Sequence, residues 1–204
     1  MDHFCSTRFS QIMLEGMEEV MGSGDLQDFF QKSRFPRARL EGDPGQDGGM
    51  LSFRALCDFQ TAVEASLGVY SGRGVLLRSG RAAFRHLLPA FWQQLGLNNL
   101  QYRLNPTPVR IRFGLKALAR VIGDLYGEQI TVTDEGESWS WRMAACPFCC
   151  DRQTSGPVCD FAVGLLQEYL SWTSSGRFYM VEEVECRGAG GDACAIRIWK
   201  KPLD

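Results

Sequence analysis

Six cysteines crowd the last third of this 204-residue chain: Cys146, Cys149, Cys150, Cys159, Cys186 and Cys194. Cys146-Pro147-Phe148-Cys149 is a CxxC, a spacing that turns two thiolates toward one tetrahedral ion. Glu183 stands three residues before Cys186, and Cys194 follows eight residues after it. Gly188, Gly190 and Gly191 let the backbone between those two cysteines fold back, so that two strand ends can bring Cys186 and Cys194 together. Thiolates with a carboxylate suit zinc, which accepts sulfur and oxygen ligands tetrahedrally. Other chemistries compete with it. A thioredoxin-like redox pair needs a βαβ setting that does not surround this CxxC. An iron–sulfur cluster is open to a chain with this many thiols, and so is a set of buried cysteines without metal. A structural Zn2+ is the expectation. Cys5 and Cys57 stand apart and read as small buried hydrophobes.

The other reactive residue types define no catalyst. The chain has only two histidines, His3 near its start and His86 beside Arg85 in a helical stretch. No Gly-rich phosphate loop follows a strand, and Gly72-Arg73-Gly74 is too short to be a dinucleotide fingerprint. Binding asks for less: a concave apolar pocket with a few polar anchors. Candidate lining residues are Phe84, Phe91, Trp92, Leu115, Trp141, Phe161, Leu165, Tyr169 and Trp172. Most of them read individually as ordinary core. Trp141 and Trp172 are preferred, as flanking the metal region with an indole N–H to offer a ligand.

These residues need elements to carry them. Apolar positions at helical spacing predict helices over 6–21, 52–67, 75–95, 109–125 and 159–173, with a further turn of helix over 25–31. The run over 75–95 is expected to kink or divide near Pro89 after a break at Gly68 to Gly74. Arg73, Arg78, Arg81 and Arg85 accompany it, as a solvated basic face or a pocket for an anion. Residues 129–134 and 138–144 alternate like strands around Glu135-Gly136-Glu137 and predict a hairpin. Two further strands, over 178–186 and 194–199, close the chain around the glycine-rich turn. Helices followed by antiparallel strands predict an α+β domain, its helices packed on an antiparallel sheet of about four strands. Arg34 to Gly49, with Pro36, Pro44 and four glycines, reads as a flexible loop. It divides a helical N-terminal arm (1–49) from a small-molecule-binding domain with a C-terminal metal site (50–204).

Hydrophobic residues at 45% and charged residues at 23% are those of a folded chain, which excludes global disorder. A net charge of −2 gives no reason to expect direct contact with nucleic acid or an anionic membrane. No apolar run approaches the roughly 18 residues of a membrane span, and the first residues lack the pattern of a secretory signal. A cytoplasmic location is therefore expected, where reduced thiols remain available to metal.

The stretch Val158-Cys159-Asp160-Phe161 with Gly164 and Trp172 opens a longer pattern. It continues through Val181-Glu182-Glu183-Val184-Glu185-Cys186-Arg187 and closes at Gly190-Gly191-Asp192-Ala193-Cys194-Ala195-Ile196-Arg197-Ile198. This resembles the vinyl-4-reductase domain family, whose pattern also occurs in the sensor domains of phenol- and xylene-responsive bacterial activators. The resemblance implies helices on an antiparallel sheet, in a fold related to vesicle-tethering subunits and haem-based nitric oxide sensors. In the phenol sensors a Cys, a Glu and two further Cys hold zinc. Carried over by motif, these are Cys159, Glu183, Cys186 and Cys194, with Glu182 the weaker choice of carboxylate. Cys146 and Cys149 lie outside that pattern and compete for the ion, which leaves the four ligands open between a second site and a redox-sensitive exchange. The family also implies a homodimer and a pocket for small hydrophobic molecules, with aromatic compounds and tetrapyrrole intermediates as examples.

The expected function is a zinc-stabilised binding domain acting as sensor, carrier or accessory factor, with (bacterio)chlorophyll synthesis one setting. The chain lacks the ATPase and DNA-binding modules of the activators, so a role in regulation would pass through a partner protein. The alternatives are an enzyme or subunit reducing the vinyl group of a tetrapyrrole precursor, for which no hydride source is visible, and a pure protein-interaction module.

Overall fold

The residues that set this fold are glycines at three helix crossings. The computed structural model describes residues 3–33, 35–41, 49–150 and 152–203. After a short strand β1 (Phe4–Ser6), the Ser6 hydroxyl accepts from the Arg8 N–H and starts α1 (Thr7–Met21), which ends at Gly22 with φ of 86°. Helix α2 (Ser23–Lys32) and a 3-10 turn (Arg37–Leu40) follow. Strand β2 (Met50–Ser52) pairs antiparallel with β1, Cys5 opposite Leu51, before α3 (Phe53–Leu67).

The expected break over Gly68 to Gly74 is confined to one residue. Gly68 turns at φ of 83°, and α4 (Val69–Ala90) begins immediately after it. Gly72 lies within α4, where a Cβ would stand 2.8 Å from Glu64 Cα, so glycine permits α4 to leave α3 at close quarters. Pro89 closes α4, and the chain resumes in α5 (Trp92–Leu95), α6 (Leu100–Leu104) and α7 (Thr107–Tyr126). Strands β3 (Ile130–Asp134) and β4 (Ser138–Met143) form the expected hairpin. Helix α8 (Asp160–Thr173) leads to β5 (Tyr179–Glu185) and β6 (Cys194–Pro202). The four-stranded sheet runs β3-β4-β6-β5, antiparallel throughout, with α7 and α8 against it.

Helix α4 lies along both α1 and α8. A Cβ on Gly16 of α1 would stand 2.6 Å from the Ser79 carbonyl oxygen. At the α4–α8 crossing the relation is reciprocal: a Cβ on Gly80 would meet Phe161 O at 2.0 Å, and one on Gly164 would meet Leu77 O at 1.9 Å. The arginines of α4 bind this crossing together. Arg73 pairs with Asp160 (2.7 Å), Arg81 donates to Gln167 (2.6 and 3.0 Å), and Arg85 reaches Glu168 of α8 and Glu19 of α1. Three of the four basic residues thus join helices instead of lining an anion pocket; Arg78 donates to the Gly74 carbonyl within α4.

The fold is α+β, its helices on an antiparallel four-stranded sheet. One core holds Phe9, Ile12, Met13 and Met17 of α1 together with Phe59, Phe84, Phe161 and Ile196. The loop read over 34–49 lies partly outside the described residues; its described part includes the 3-10 turn, with Phe35 and Leu40 buried.

Candidate metal centre and the apolar space beside it

Three chain segments meet at the cysteines. Cys159 immediately precedes α8, and its N–H, one of the amides that a helix start leaves unpaired, donates to Glu183 Oε2 at 2.8 Å. Glu183 lies two residues along β5 from buried Val181 and so on the same face, while Val184 between Glu183 and Glu185 is exposed. A register irregularity between Glu183 and Glu185 marks a bulge where β5 approaches Cys186. Cys194 opens β6 opposite Met143, the last residue of β4, and the CxxC follows directly on that strand. The β4–β6 ladder therefore brings Cys146 and Cys149 to Cys194.

The loop carrying the CxxC is tied to α3. Gln60 Nε2 donates to Val158 O (2.6 Å), and Arg152 forks onto Glu64 (2.5 and 3.1 Å), both side chains largely buried. The Cys57 thiol donates to Cys150 O at 2.8 Å, and burial pushes that thiol up to about 12. Phe148, inside the CxxC, packs between Phe9 and Phe161. On the opposite side Gly190 takes φ of 92°, and the Gly191 N–H returns to Cys186 O (3.0 Å), closing the turn that sets Cys186 near Cys194.

The result is two overlapping sets of donors. Cys146, Cys149, Cys159 and Cys194 have sulfurs all within 4.8 Å of one another; so do the ligand atoms of Cys159, Glu183, Cys186 and Cys194. Sulfur separations are 3.3 Å for Cys146–Cys159, 3.2 Å for Cys149–Cys194 and 3.8 Å for Cys159–Cys194. A tetrahedron with metal–sulfur bonds of about 2.3 Å has edges of about 3.8 Å, so the set fits a zinc ion with small adjustments. The five cysteines are at most 3% exposed. Glu183 Oε1 is buried with no hydrogen-bond partner among the described residues, a cost that an ion beside it would remove. The Arg187 N–H donates toward Cys194 Sγ (3.4 Å), as amides do to metal-bound thiolates.

Crowding divides the protons unevenly. Cys149 is held below the ordinary thiol range by hydrogen bonds from Cys146 and its other neighbours. Cys159 is held well above that range, chiefly by its hydrogen bonds with Cys146 and Cys149. A cation would replace those protons, so metal uptake releases protons here. A cleft of about 660 Å3 is lined by Arg54, Arg152 and Arg187 together with Cys146, Cys149 and Cys150.

Beside the cluster lies an apolar space of about 10 Å3 lined by Ile122, Tyr126, Trp141, Met143, Phe161, Ala162, Leu165 and Leu166. Among the described residues the buried Trp141 Nε1 has no hydrogen-bond partner. Trp141 faces Val132 on β3 and Ile196 on β6, so its indole is fixed by the middle of the sheet.

The sheet that fixes Trp141 is also the part of the chain with a recognised family pattern. Residues 139–200 match the vinyl-4-reductase domain. The matched segment comprises β4, α8, β5 and β6, and so carries all the clustered cysteines. The fold of the whole chain is similar to solved H-NOX proteins. One, from S. oneidensis in the Fe(II)NO ligation state, is 12% identical with a TM-score of 0.57, over 95% of this chain and 98% of that one. Another, the Fe(II) unliganded protein from K. algicida, is 13% identical with a TM-score of 0.59, over 94% and 96%. A trafficking protein particle complex subunit 3 from Naegleria fowleri, covalently bound to palmitic acid, is less similar, with a TM-score of 0.45 at 13% identity over 94% of this chain and 98% of that one. No curated protein matches the sequence.

All six metal candidates, Cys146, Cys149, Cys159, Glu183, Cys186 and Cys194, fall in one cluster. Glu182 does not join it; it stands opposite Arg197 on the outward face of β5. The ligand candidates separate. Trp141, Phe161 and Leu165 line the apolar space. Tyr169 is buried farther along α8, donating to Arg110 O (3.0 Å) and Ile111 O (2.8 Å). Trp172, Phe91 and Trp92 do not reach that space. Trp172 is 39% exposed and contacts Phe84 and Trp92 at the end of α8, about 20 Å by helical rise from Cys159. Its closeness to the cysteines in sequence is spent along a helix. Tyr126 and Met143, which line the space, carry no sequence signal distinguishing them from core. Gln60, Glu64 and Arg152 were equally silent, since polar side chains acquire a role here only from a loop folding onto α3.

Proposed function

We propose that this chain is a zinc-stabilised domain that binds a small hydrophobic molecule and acts as a sensor, carrier or accessory factor. The observation that carries the reading is the Trp141 N–H, buried without a partner at an apolar space that abuts a cluster of metal-binding type. Cys159 starts α8, and Phe161, Ala162, Leu165 and Leu166 of the same helix wall the space. Zinc would hold that helix end to β5 and β6, fixing one wall while the other side chains yield to a ligand. The space is far below the roughly 150 Å3 of an apolar cavity that accepts benzene, so binding entails a shift of α8 or α7 against the sheet. That movement is what a sensor would transmit.

The ligand classes in view are a single-ring aromatic compound and a tetrapyrrole intermediate, the latter placing the protein in pigment synthesis. Among the described residues His3 pairs with Glu128, and His86 with Glu15 and Glu19, so neither histidine faces the space as a proton donor to a substrate. Exposed Leu100, Leu104, Val109 and Phe113 on α6 and α7 offer an apolar face for the homodimer that belongs to this reading, in the reducing cytoplasm. The test is a titration of zinc-loaded protein with phenol, xylene and protoporphyrin, followed by native mass spectrometry. A single-ring compound should bind, and Trp141→Phe should weaken a hydroxylated one by about fivefold to tenfold, the worth of one hydrogen bond. Equal affinities for the two proteins, or no binding at millimolar concentration, would reject the site.

A further inference from the structure

The ligand count at the cysteine cluster exceeds what one ion takes. A tetrahedral zinc ion uses four donors, whereas the cluster presents six: Cys146, Cys149, Cys159, Glu183, Cys186 and Cys194. They are arranged as two complete sets that share one pair, Cys159 and Cys194. Six donors in that pattern are the number that two tetrahedral ions need if they share an edge, with two bridging ligands and two terminal ligands on each. We propose that the cluster is a two-ion centre in which the Cys159 and Cys194 thiolates bridge a pair of zinc ions. Cys146 and Cys149 complete one tetrahedron, and Glu183 and Cys186 complete the other. This rests on the reading that the cluster holds metal, and deepens it.

Three observations support the assignment. The shared sulfurs are 3.8 Å apart, an edge length that suits bonds of about 2.3 Å to each ion. They are also the two fully buried cysteines of the cluster, each at 0% exposure, as the centre of a two-ion unit must be. Glu183 Oε1 supplies the independent indication. With Oε2 occupied by the Cys159 N–H, this oxygen is buried and has no partner, and it belongs to the set that omits the CxxC. An ion held only by Cys146, Cys149, Cys159 and Cys194 would leave that oxygen and the Cys186 thiol buried and unused. An ion held only by the second set would leave the CxxC so. Two ions use every donor. Five thiolates and one carboxylate around two dications carry a net charge of −2. Arg152 interacts electrostatically with Cys159 and Arg73 with Glu183, which offsets part of it.

The experiment counts metal. Protein refolded with excess Zn2+ and desalted should retain two ions per chain by native mass spectrometry, and the cadmium-113 form should give two mutually coupled resonances. The coupling requires shared thiolates, and it is read on the unaltered chain. Cys146→Ser with Cys149→Ser should retain one ion, and so should Glu183→Gln with Cys186→Ser. One ion in the unaltered chain and in both double variants would overturn the two-ion centre in favour of a single exchanging ion, leaving zinc itself intact. No retained metal would overturn zinc as well. Two resonances without coupling would exclude the bridge.

Discussion

Replacing single glycines of α4 by alanine should change stability in opposite directions, depending on which turn of the helix carries them. Gly74 is exposed, and a Cβ there meets no atom within 4 Å. Alanine at that position restricts the unfolded chain and suits the helix, so Gly74→Ala should add about 0.5–1 kcal/mol. The same gain applies at Gly80, but there the methyl group lands 2.0 Å from the Phe161 carbonyl oxygen and 3.0 Å from the Leu165 N. An ordinary carbon–oxygen contact needs about 3.3 Å, so α4 and α8 must separate by about 1.3 Å at the crossing. The struck atoms are backbone and cannot rotate away. Overpacking costs about 1–3 kcal/mol, and a gap of this size forfeits about half or more of the dispersion energy of the contacts it opens. A cost of about 3–4 kcal/mol less the helical gain leaves Gly80→Ala less stable by about 2–3 kcal/mol. Urea unfolding of the metal-loaded proteins is the assay. With a slope near 2–3 kcal/mol per molar, the Gly80→Ala midpoint should fall by about 1 M and the Gly74→Ala midpoint should rise by about 0.3 M. Midpoints that move together, or a Gly80→Ala protein as stable as the parent, would refute the close crossing.

Other outcomes follow from the loop and the thiols. Arg152→Met should lose about 3–5 kcal/mol in thermal unfolding, because it leaves Glu64 charged and buried; adding Glu64→Met should recover most of it, and a single variant of parental stability would dismiss the pair. Cys5 and Cys57 are pushed up to about 12 by burial, so each holds about one thiolate in ten thousand at pH 8. Iodoacetamide should therefore spare them in folded protein and label them after denaturation, as peptide mass mapping would show. Cys194→Ser removes a donor common to both sets and should lower the melting temperature together with the zinc content; unchanged values of both would remove Cys194 from the site.

The elements that position the cluster were legible because their signals are local. The hairpin over β3 and β4, helix α8 and the last two strands follow from alternation, apolar spacing and a glycine-rich turn, each read within about a dozen residues. The CxxC, and Glu183 with Cys186 and Cys194 around a glycine-rich turn, follow from spacing for the same reason, whereas Cys159 joins them only through the family resemblance. The rest depends on partners distant in sequence. Residues 4–6 and 50–52 are too short and too ordinary to announce strands, and become so only by pairing with each other. Gly72 reads as a breaker until α3 is seen lying against it. The apolar space was the least legible, since Trp141 and Trp172 look alike in sequence. Only the sheet and the length of α8 place one against the cavity and the other 39% exposed.

The short distances between sulfurs also bear on what happens when metal is lost. Cys146 stands 3.3 Å from Cys159, and Cys149 stands 3.2 Å from Cys194. Without a cation, dioxygen can take two electrons and two protons from such a pair, forming one disulfide and leaving hydrogen peroxide. Disulfides within these two pairs would cross between the CxxC loop and the elements it docks on, locking them with both shared donors consumed. Coordination acts here as a protecting group, and demetallated protein handled in air would carry a covalent record of having been empty that added zinc alone would not erase.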